Sequence, residues 1–330
     1  MKRRHVIALL VGAIAAWPIA ARAQQSGPTR RMGVLMGGNE SDPESRARIA
    51  ALGQGLAALG WQEGHNLVIE WRWASGDVTR IPSLAAELVA LGPDLIIANG
   101  TTALAAIQRA TRSIPIVFVL VNDPVDQGFI ASLALPGGNT TGFTFVEYSM
   151  IGKLLEMLLG VAPHLSRAVV MYNPESTPFN ERYLRSFAAE PPPFGVELTG
   201  APIRAVADID PVISKLSQEP ASGFIVPPDI FTIAHRDVIM RSTAERRVPA
   251  IYSYRQFVRE GGLISYGADT ADIYRRSAAY VDRIFKGANP AELPAQAPEK
   301  FEFVINLTTA RTLGLTVPPG LLAIADEVIE

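Results

Sequence analysis

Short apolar runs alternate with amphipathic stretches along this chain, and polar turns separate them. The pattern is clearest over 94–126. Leu95 to Ala98 is an apolar run of the kind found in a parallel strand buried on both faces. Asn99-Gly100-Thr101-Thr102 turns the chain and offers helix caps. Leu104, Ile107 and Ala110 then share one helical face. Residues 114–121 read as the next buried strand, and Asn122-Asp123-Pro124 ends it.

The same rhythm extends on both sides. Upstream, 31–37 reads as a strand, and Ser41-Asp42-Pro43-Glu44 as a capping box with proline in the first turn. Ile49, Leu52, Leu56 and Leu59 make an apolar helical stripe that Gly60 stops. Residues 67–73 read as a strand, and Pro82 opens a helix carrying Leu84, Leu88 and Leu91. The order β-α-β-α-β-α-β predicts a doubly wound α/β domain. The passage 136–142, rich in glycine, interrupts it. Residues 143–147 then read as extended and 150–159 as a helix.

A second series follows. Strands are expected over 167–172, 196–201, 223–226, 249–252 and 262–266, with helices over 178–189, 209–216 and 230–243. The chain continues with a helix over 271–286, a proline-rich passage, an extended stretch over 301–306 and a short helix with Ala310 and Leu313. The tail 321–329 has helical character. One architecture is used twice, without an obvious sequence repeat.

In such sheets, ligands bind beyond the carboxyl ends of the strands. Thr101 and Thr102 sit there at a helix N-terminus, whose free N–H groups and dipole favour a carboxylate; the alternative is that they only cap the helix. Asp123 and Asp229 each follow a buried strand and suit an ammonium group, or cap the next turn. Tyr252, Tyr254 and Tyr266 lie at strand ends, where a ring either stacks on a ligand or packs. Asn173 and Asn180 either bond across a cleft or cap. Trp61, Trp71 and Trp73 read as packing residues.

Composition narrows the chemistry. With no cysteine there are no disulfides and no thiol catalysis. None of His65, His164 and His235 stands at metal-ligand spacing to another histidine. The chain lacks a G-x-S-x-G elbow, a P-loop and a G-x-G-x-x-G turn. No catalytic residue, metal ligand or cofactor is therefore predicted.

Residues 1–23 read as a leader. Lys2-Arg3-Arg4 precedes a short apolar core, and Ala21-Arg22-Ala23 forms a cleavage site that starts the mature chain near Gln24. Export would follow the Sec route or, from Arg3-Arg4, the twin-arginine route. The apolar core is too short to span a bilayer, and no cysteine follows the cleavage site, so no membrane anchor is expected. Without the leader's four basic residues, 26 remain of the 30, against 32 acidic ones, a net of −6. That charge gives no footprint for nucleic acid. A mature length of roughly 300 residues suits two domains.

Several segments together carry a resemblance. They are Trp17-Pro18 with Ala21-Arg22-Ala23-Gln24-Gln25, Ile114-Pro115-Ile116-Val117-Phe118 with Asp123-Pro124, and Leu135-Pro136-Gly137-Gly138-Asn139-Thr140-Thr141-Gly142. Further along come Gly261-Gly262-Leu263-Ile264-Ser265-Tyr266-Gly267, Phe301-Glu302-Phe303-Val304-Ile305-Asn306-Leu307 and the ending Ala325-Asp326-Glu327-Val328-Ile329-Glu330. In this order they resemble a bacterial family of ABC-transporter substrate-binding proteins, similar to the tryptophan/tyrosine-type uptake proteins.

The resemblance implies the type I periplasmic binding fold: α/β, with two doubly wound parallel-sheet lobes joined by three crossings. The first lobe would comprise 31–145 plus 270–298, and the second 146–269 plus 299–330. The crossings would fall near 143–147, 267–270 and 298–303. The implied function is an exported, non-enzymatic, monomeric periplasmic protein. It would capture a small molecule between its lobes, an aromatic amino acid or related small carboxylate, and deliver it to an inner-membrane ABC permease. Carried over, the contacts would be Thr101 and Thr102 for a carboxylate and Asp229 for an amino group, with Asp123, Asn173, Tyr252 and Asp269 as further contacts. A ligand-sensing module for a membrane receptor is the alternative. An exported α/β enzyme is a third reading, and it would need a nucleophile–base pair in the cleft.

Overall fold

A computed structural model describes residues 29–145, 150–188 and 193–330. The leader read over 1–23 lies outside the described residues, as do residues 146 and 147 of the expected extended stretch.

The first sheet has the order β2-β1-β3-β4-β5. Its strands are β1 (Arg30–Met36), β2 (Leu67–Trp73), β3 (Leu95–Asn99), β4 (Ile116–Val121) and β5 (Thr140–Thr144), all paired in parallel. Three helices connect the first four strands: α1 (Pro43–Ala58), α2 (Ile81–Ala90) and α3 (Thr101–Ala110). Strand alternation splits the core in two. Val34, Ile97, Val117 and Val119 face α1, where Leu52 and Leu56 meet them. Leu35, Ile96, Ile116 and Phe118 face Leu84 and Leu88 of α2 and Leu104 and Ile107 of α3.

The second sheet has the order β12-β11-β10-β9-β8-β6-β7. Its strands are β6 (Arg167–Tyr172), β7 (Glu197–Pro202), β8 (Ser222–Val226), β9 (Ala250–Tyr252), β10 (Ile264–Ala268), β11 (Phe301–Asn306) and β12 (Glu327–Ile329). All neighbours are parallel except β10 and β11. On one face Ala168, Val170, Ile225 and Ile251 meet α4 (Met150–Val161) and α5 (Phe179–Ala188). On the other, Val169, Met171, Phe224 and Val226 meet α6 (Ile209–Ser217) and α8 (Arg236–Glu245), the latter preceded by the short α7 (Ile230–Ala234).

The helix α10 (Thr270–Phe285) follows α9 (Arg255–Arg259) and β10, yet packs on the first sheet, with Ile273, Tyr274, Val281 and Phe285 in the α1 core. Gly55 permits the approach of α1 to α10, since a Cβ there would stand 2.6 Å from the Arg275 carbonyl oxygen. The chain thus passes between the sheets after Phe145, between β10 and α10, and again before β11.

Four expectations change. The cap of α1 is Asp42, whose side chain accepts from the Ser45 N–H at 3.3 Å, not Ser41. The extended stretch after the glycines begins earlier, at Thr140. The helix expected over 230–243 breaks at His235, whose φ of −115° and ψ of 25° leave the helical region. The tail carries α11 (Leu307–Thr312) and α12 (Pro319–Ile324), but ends in a strand because β11 has a free edge for β12 to join.

Candidate functional site

Each sheet reverses its strand order once. In the first the reversal lies at β1 and β3, and in the second at β6 and β8. Loops leaving such a point diverge to opposite faces and open a crevice beyond the strand ends. Here the two crevices face each other and enclose one cavity of about 350 Å³, toward the small end of the roughly 300–1,000 Å³ typical of ligand pockets.

From the first sheet the walls are Gly38, Asn39, Ser41 and Asp42 after β1, Asn99 to Thr102 at the end of β3 and start of α3, and Asn122 after β4. Ser45 and Arg48 reach in from α1. From the second sheet come Ser176 and Thr177 after β6, Pro228 and Asp229 after β8, Tyr254 after β9, and Ile230, Ile233 and Arg236 from α7 and α8. Hydroxyl and amide side chains predominate over apolar ones. A recess of about 20 Å³ adjoins the cavity through Asn122 and Pro228. In it the Asn122 Oδ1 and Asn180 Nδ2 are buried without protein partners, and the recess is large enough for about one water molecule.

Thr101, Thr102 and Asp229, expected at the sheet edges, line this cavity. The N-cap of α3 is Gly100, at φ 82°, with no side-chain cap bond. Both threonines therefore occupy the first helical turn, and their N–H groups are among those an α-helix leaves without internal partners.

Asp229 is 3% exposed and accepts four hydrogen bonds. Oδ1 receives the Ser176 hydroxyl at 2.5 Å and the Phe231 N–H at 2.8 Å; Oδ2 receives the Asn173 N–H at 2.8 Å and the Thr177 hydroxyl at 3.2 Å. Burial pushes its pKa up, against the pull of these donors.

The other expected contacts stand away from the cavity wall. Asn173 shapes the loop instead, its Oδ1 accepting the Glu175 and Ser176 N–H groups. Tyr252 points into the second core, stacked on Phe257 with ring centroids 4.6 Å apart. Burial raises its pKa to about 12. Asp269 caps α10 by accepting the Asp272 N–H at 3.0 Å. Asp123 holds a left-handed turn at φ 39°.

Arg48, Tyr254 and Arg236 complete the wall. The Arg48 guanidinium carbon lies 5.7 Å from the Tyr254 ring centroid, and Tyr254 stacks on Phe145 at 5.3 Å. Burial pushes the Tyr254 hydroxyl up to about 12.

Polar contacts join the two sides at the rim. Asp42 meets Arg236 at 3.3 Å and the Gln256 amide at 2.8 Å, and Glu44 meets Arg255 at 3.1 Å. Arg182 reaches Asp126 at 3.3 Å. Among the described residues no cluster of three or more His, Cys, Asp or Glu is arranged to hold a metal ion, and no helix is long and apolar enough to cross a membrane.

A family model described as ABC transporter substrate binding protein matches residues 41–329. A tyrosine-binding protein of Clostridioides difficile (strain R20291) is 26% identical over 262 residues, covering 79% of this chain and 74% of that protein. A conserved domain protein of Vibrio cholerae O1 biovar El Tor strain N16961 superposes with a TM-score of 0.83 at 27% identity, over 91% of this chain and 99% of that one. The ABC domain from Streptococcus pneumonia, solved in complex with L-Trp, gives a TM-score of 0.83 at 23% identity, over 91% of this chain and all of that one.

Proposed function

The chain belongs to the ABC transporter substrate-binding protein family, and we propose that it captures a small carboxylate-bearing solute in the cavity between its sheets and hands it to an ABC permease. It has the type I periplasmic binding fold and the role of a solute-binding protein, not of an enzyme. The observation that carries the reading is a cavity walled by the switch-point loops of both sheets.

The units that move are residues 31–145 with 270–298, and 146–269 with 299–330. The protein works as a monomer in the periplasm, exported by a leader over 1–23. The relatives' names, tyrosine-binding protein and an L-Trp complex, make aromatic amino acids and related acids the first compounds to try.

Ligand acts on an equilibrium between open and closed arrangements. A solute touching both walls binds the closed one better and shifts the population by that difference in affinity. The rim contacts Asp42–Arg236 and Glu44–Arg255 also belong to the closed arrangement. Small-angle scattering is expected to show a smaller radius of gyration when ligand is added, and an unchanged radius at saturating ligand would defeat closure. Native mass spectrometry of the chain from Gln24 is expected to release one small acid per protein. Release of a neutral sugar instead would reject the carboxylate.

The α3 terminus can be tested cleanly. Thr101 occupies the first helical position, where proline is well tolerated. Thr101→Pro should therefore leave the melting temperature nearly unchanged while deleting one N–H donor. A carboxylate ligand should weaken by about 0.3–2 kcal/mol, roughly 2- to 30-fold. Unaltered affinity in calorimetry would show that the ligand does not use this terminus.

A further inference from the structure

Arg48 is a buried cation that no carboxylate among the described residues neutralises. It lies on the inward face of α1 and is 7% exposed. Its Nε donates to the Thr270 hydroxyl at 3.1 Å, and its guanidinium lies over the Tyr254 ring. Its Nη2 is buried with no hydrogen-bond partner, and it makes no ion pair with a carboxylate among the described residues. Glu44, one turn earlier on the same helix, is held by Arg255, which also grips Glu302 at 2.6 Å. A guanidinium taken out of water without a counter-charge is costly. Arg48 lines the cavity, so the missing anion has a place from which to reach it.

The cavity's own acids are committed elsewhere. Among the described lining residues they are Asp42 and Asp229. Asp42 is occupied by Arg236, the Gln256 amide and the Ser45 N–H. The two oxygens of Asp229 already receive four donors, as many as a carboxylate's lone pairs accommodate. The wall thus offers a spare cation, with the α3 N-terminus as a second positive feature, and no spare anion.

Resting on the reading of this cavity as the binding site, we propose that the ligand is a small organic acid lacking an ammonium group, and that Arg48 holds its oxyanion. A zwitterionic amino acid would satisfy Arg48 but bury its ammonium without a free carboxylate. A carboxylate and a phosphate monoester share the oxyanion chemistry, so both belong in the test.

The first measurement needs no ligand. Arg48→Met removes the unbalanced charge and keeps the stem's packing. In dialysed full-length protein it is expected to melt no lower than wild type, whereas a fall of several degrees would mark Arg48 as structural and overturn the proposal. The second is calorimetry with matched compounds: L-tyrosine, 3-(4-hydroxyphenyl)propionate and tyramine, the corresponding leucine series, and small phosphate monoesters. Acids without an amine should bind best, and lose about 10-fold or more in Arg48→Met. Arg48→Lys should fall between the two, because it keeps the charge but not the planar fork. Tightest binding by the amino acid, or equal affinity in Arg48→Met, would overturn the proposal and leave the solute-binding reading intact. If no compound binds and none is released in native mass spectrometry, the choice of this cavity as the binding site fails, and the proposal for Arg48 fails with it.

Discussion

Gly142→Ala is expected to lower the melting temperature by about 8–16 °C. Gly142 lies within β5, directly beside Phe118 of β4. A Cβ there would stand 2.0 Å from the Phe118 carbonyl oxygen and 2.6 Å from its nitrogen. Both are backbone atoms of a neighbouring buried strand, so no side-chain rotation relieves the overlap. The residue also has φ 155°, which an L side chain rarely adopts. Overpacking of this kind costs about 3 kcal/mol, and the backbone conformation adds about 1 kcal/mol. In a unit of this size each kcal/mol moves the midpoint by about 2–4 °C. Gly138→Ala is the control: it has φ 62° but nothing within 4 Å of the added Cβ. It should cost only the backbone strain, about 2–4 °C. Equal melting of the two variants would show that β5 does not pack on β4 as closely as described.

Gly142 also shows why the sequence misplaces β5. The strand reads Thr-Thr-Gly-Phe-Thr and sits in a glycine-rich passage, so local pattern favours a loop. All five residues are nevertheless buried. The hydroxyls find partners far away in the chain: Thr141 donates to the Leu293 carbonyl at 2.6 Å, and the Thr140 hydroxyl accepts from Gln108 at 2.9 Å. A polar strand at the end of a sheet can be fully buried when distant segments satisfy it, and no local window contains those segments. By contrast, β3, β4 and β8 are legible because burial on both faces demands a continuous apolar run. The closing strand β12 escapes for the same reason as β5, since only the free edge of β11 makes Glu327–Ile329 extended.

The site divides along similar lines. Thr101, Thr102 and Asp229 are legible because position after a buried strand determines their place at a sheet edge. Tyr252 shares that position, but its side chain takes the core-facing side of β9, and Tyr254 two residues later reaches the cavity instead. Arg48 gives no local signal. On α1 it reads as one more basic helical residue, and it becomes buried only when Tyr254 and Thr270, more than 200 positions downstream, close over it.

Asp229→Ala is expected to destabilise the protein by about 2–6 kcal/mol and to weaken every ligand, whether or not it carries an amine. The carboxylate is the common acceptor of the β6 loop and the first turn of α7. Once it is gone, the Thr177 hydroxyl still has the Asn173 carbonyl at 2.9 Å, and the Ser176 hydroxyl has the same oxygen at 3.4 Å. The Asn173 and Phe231 N–H groups lose the partner they share, and each buried orphan costs about 1–3 kcal/mol. Loss of the helix cap falls within that sum. Ser176 and Thr177 line the cavity, so loosening their loop alters the wall for any solute.

The pH dependence of this variant has a definite sign. Burial raises the Asp229 pKa in the folded protein, so the folded state binds this proton more tightly than the unfolded chain. Its contribution is full below the unfolded value of about 4 and declines as pH rises through the folded pKa. The gap in melting temperature between wild type and Asp229→Ala should therefore narrow with rising pH. A direct ammonium contact would behave differently. It would spare the melting temperature and cost affinity for tyramine or L-tyrosine while leaving 3-(4-hydroxyphenyl)propionate unaffected. Observing that selective loss would make Asp229 a ligand contact instead of the keystone of its loop.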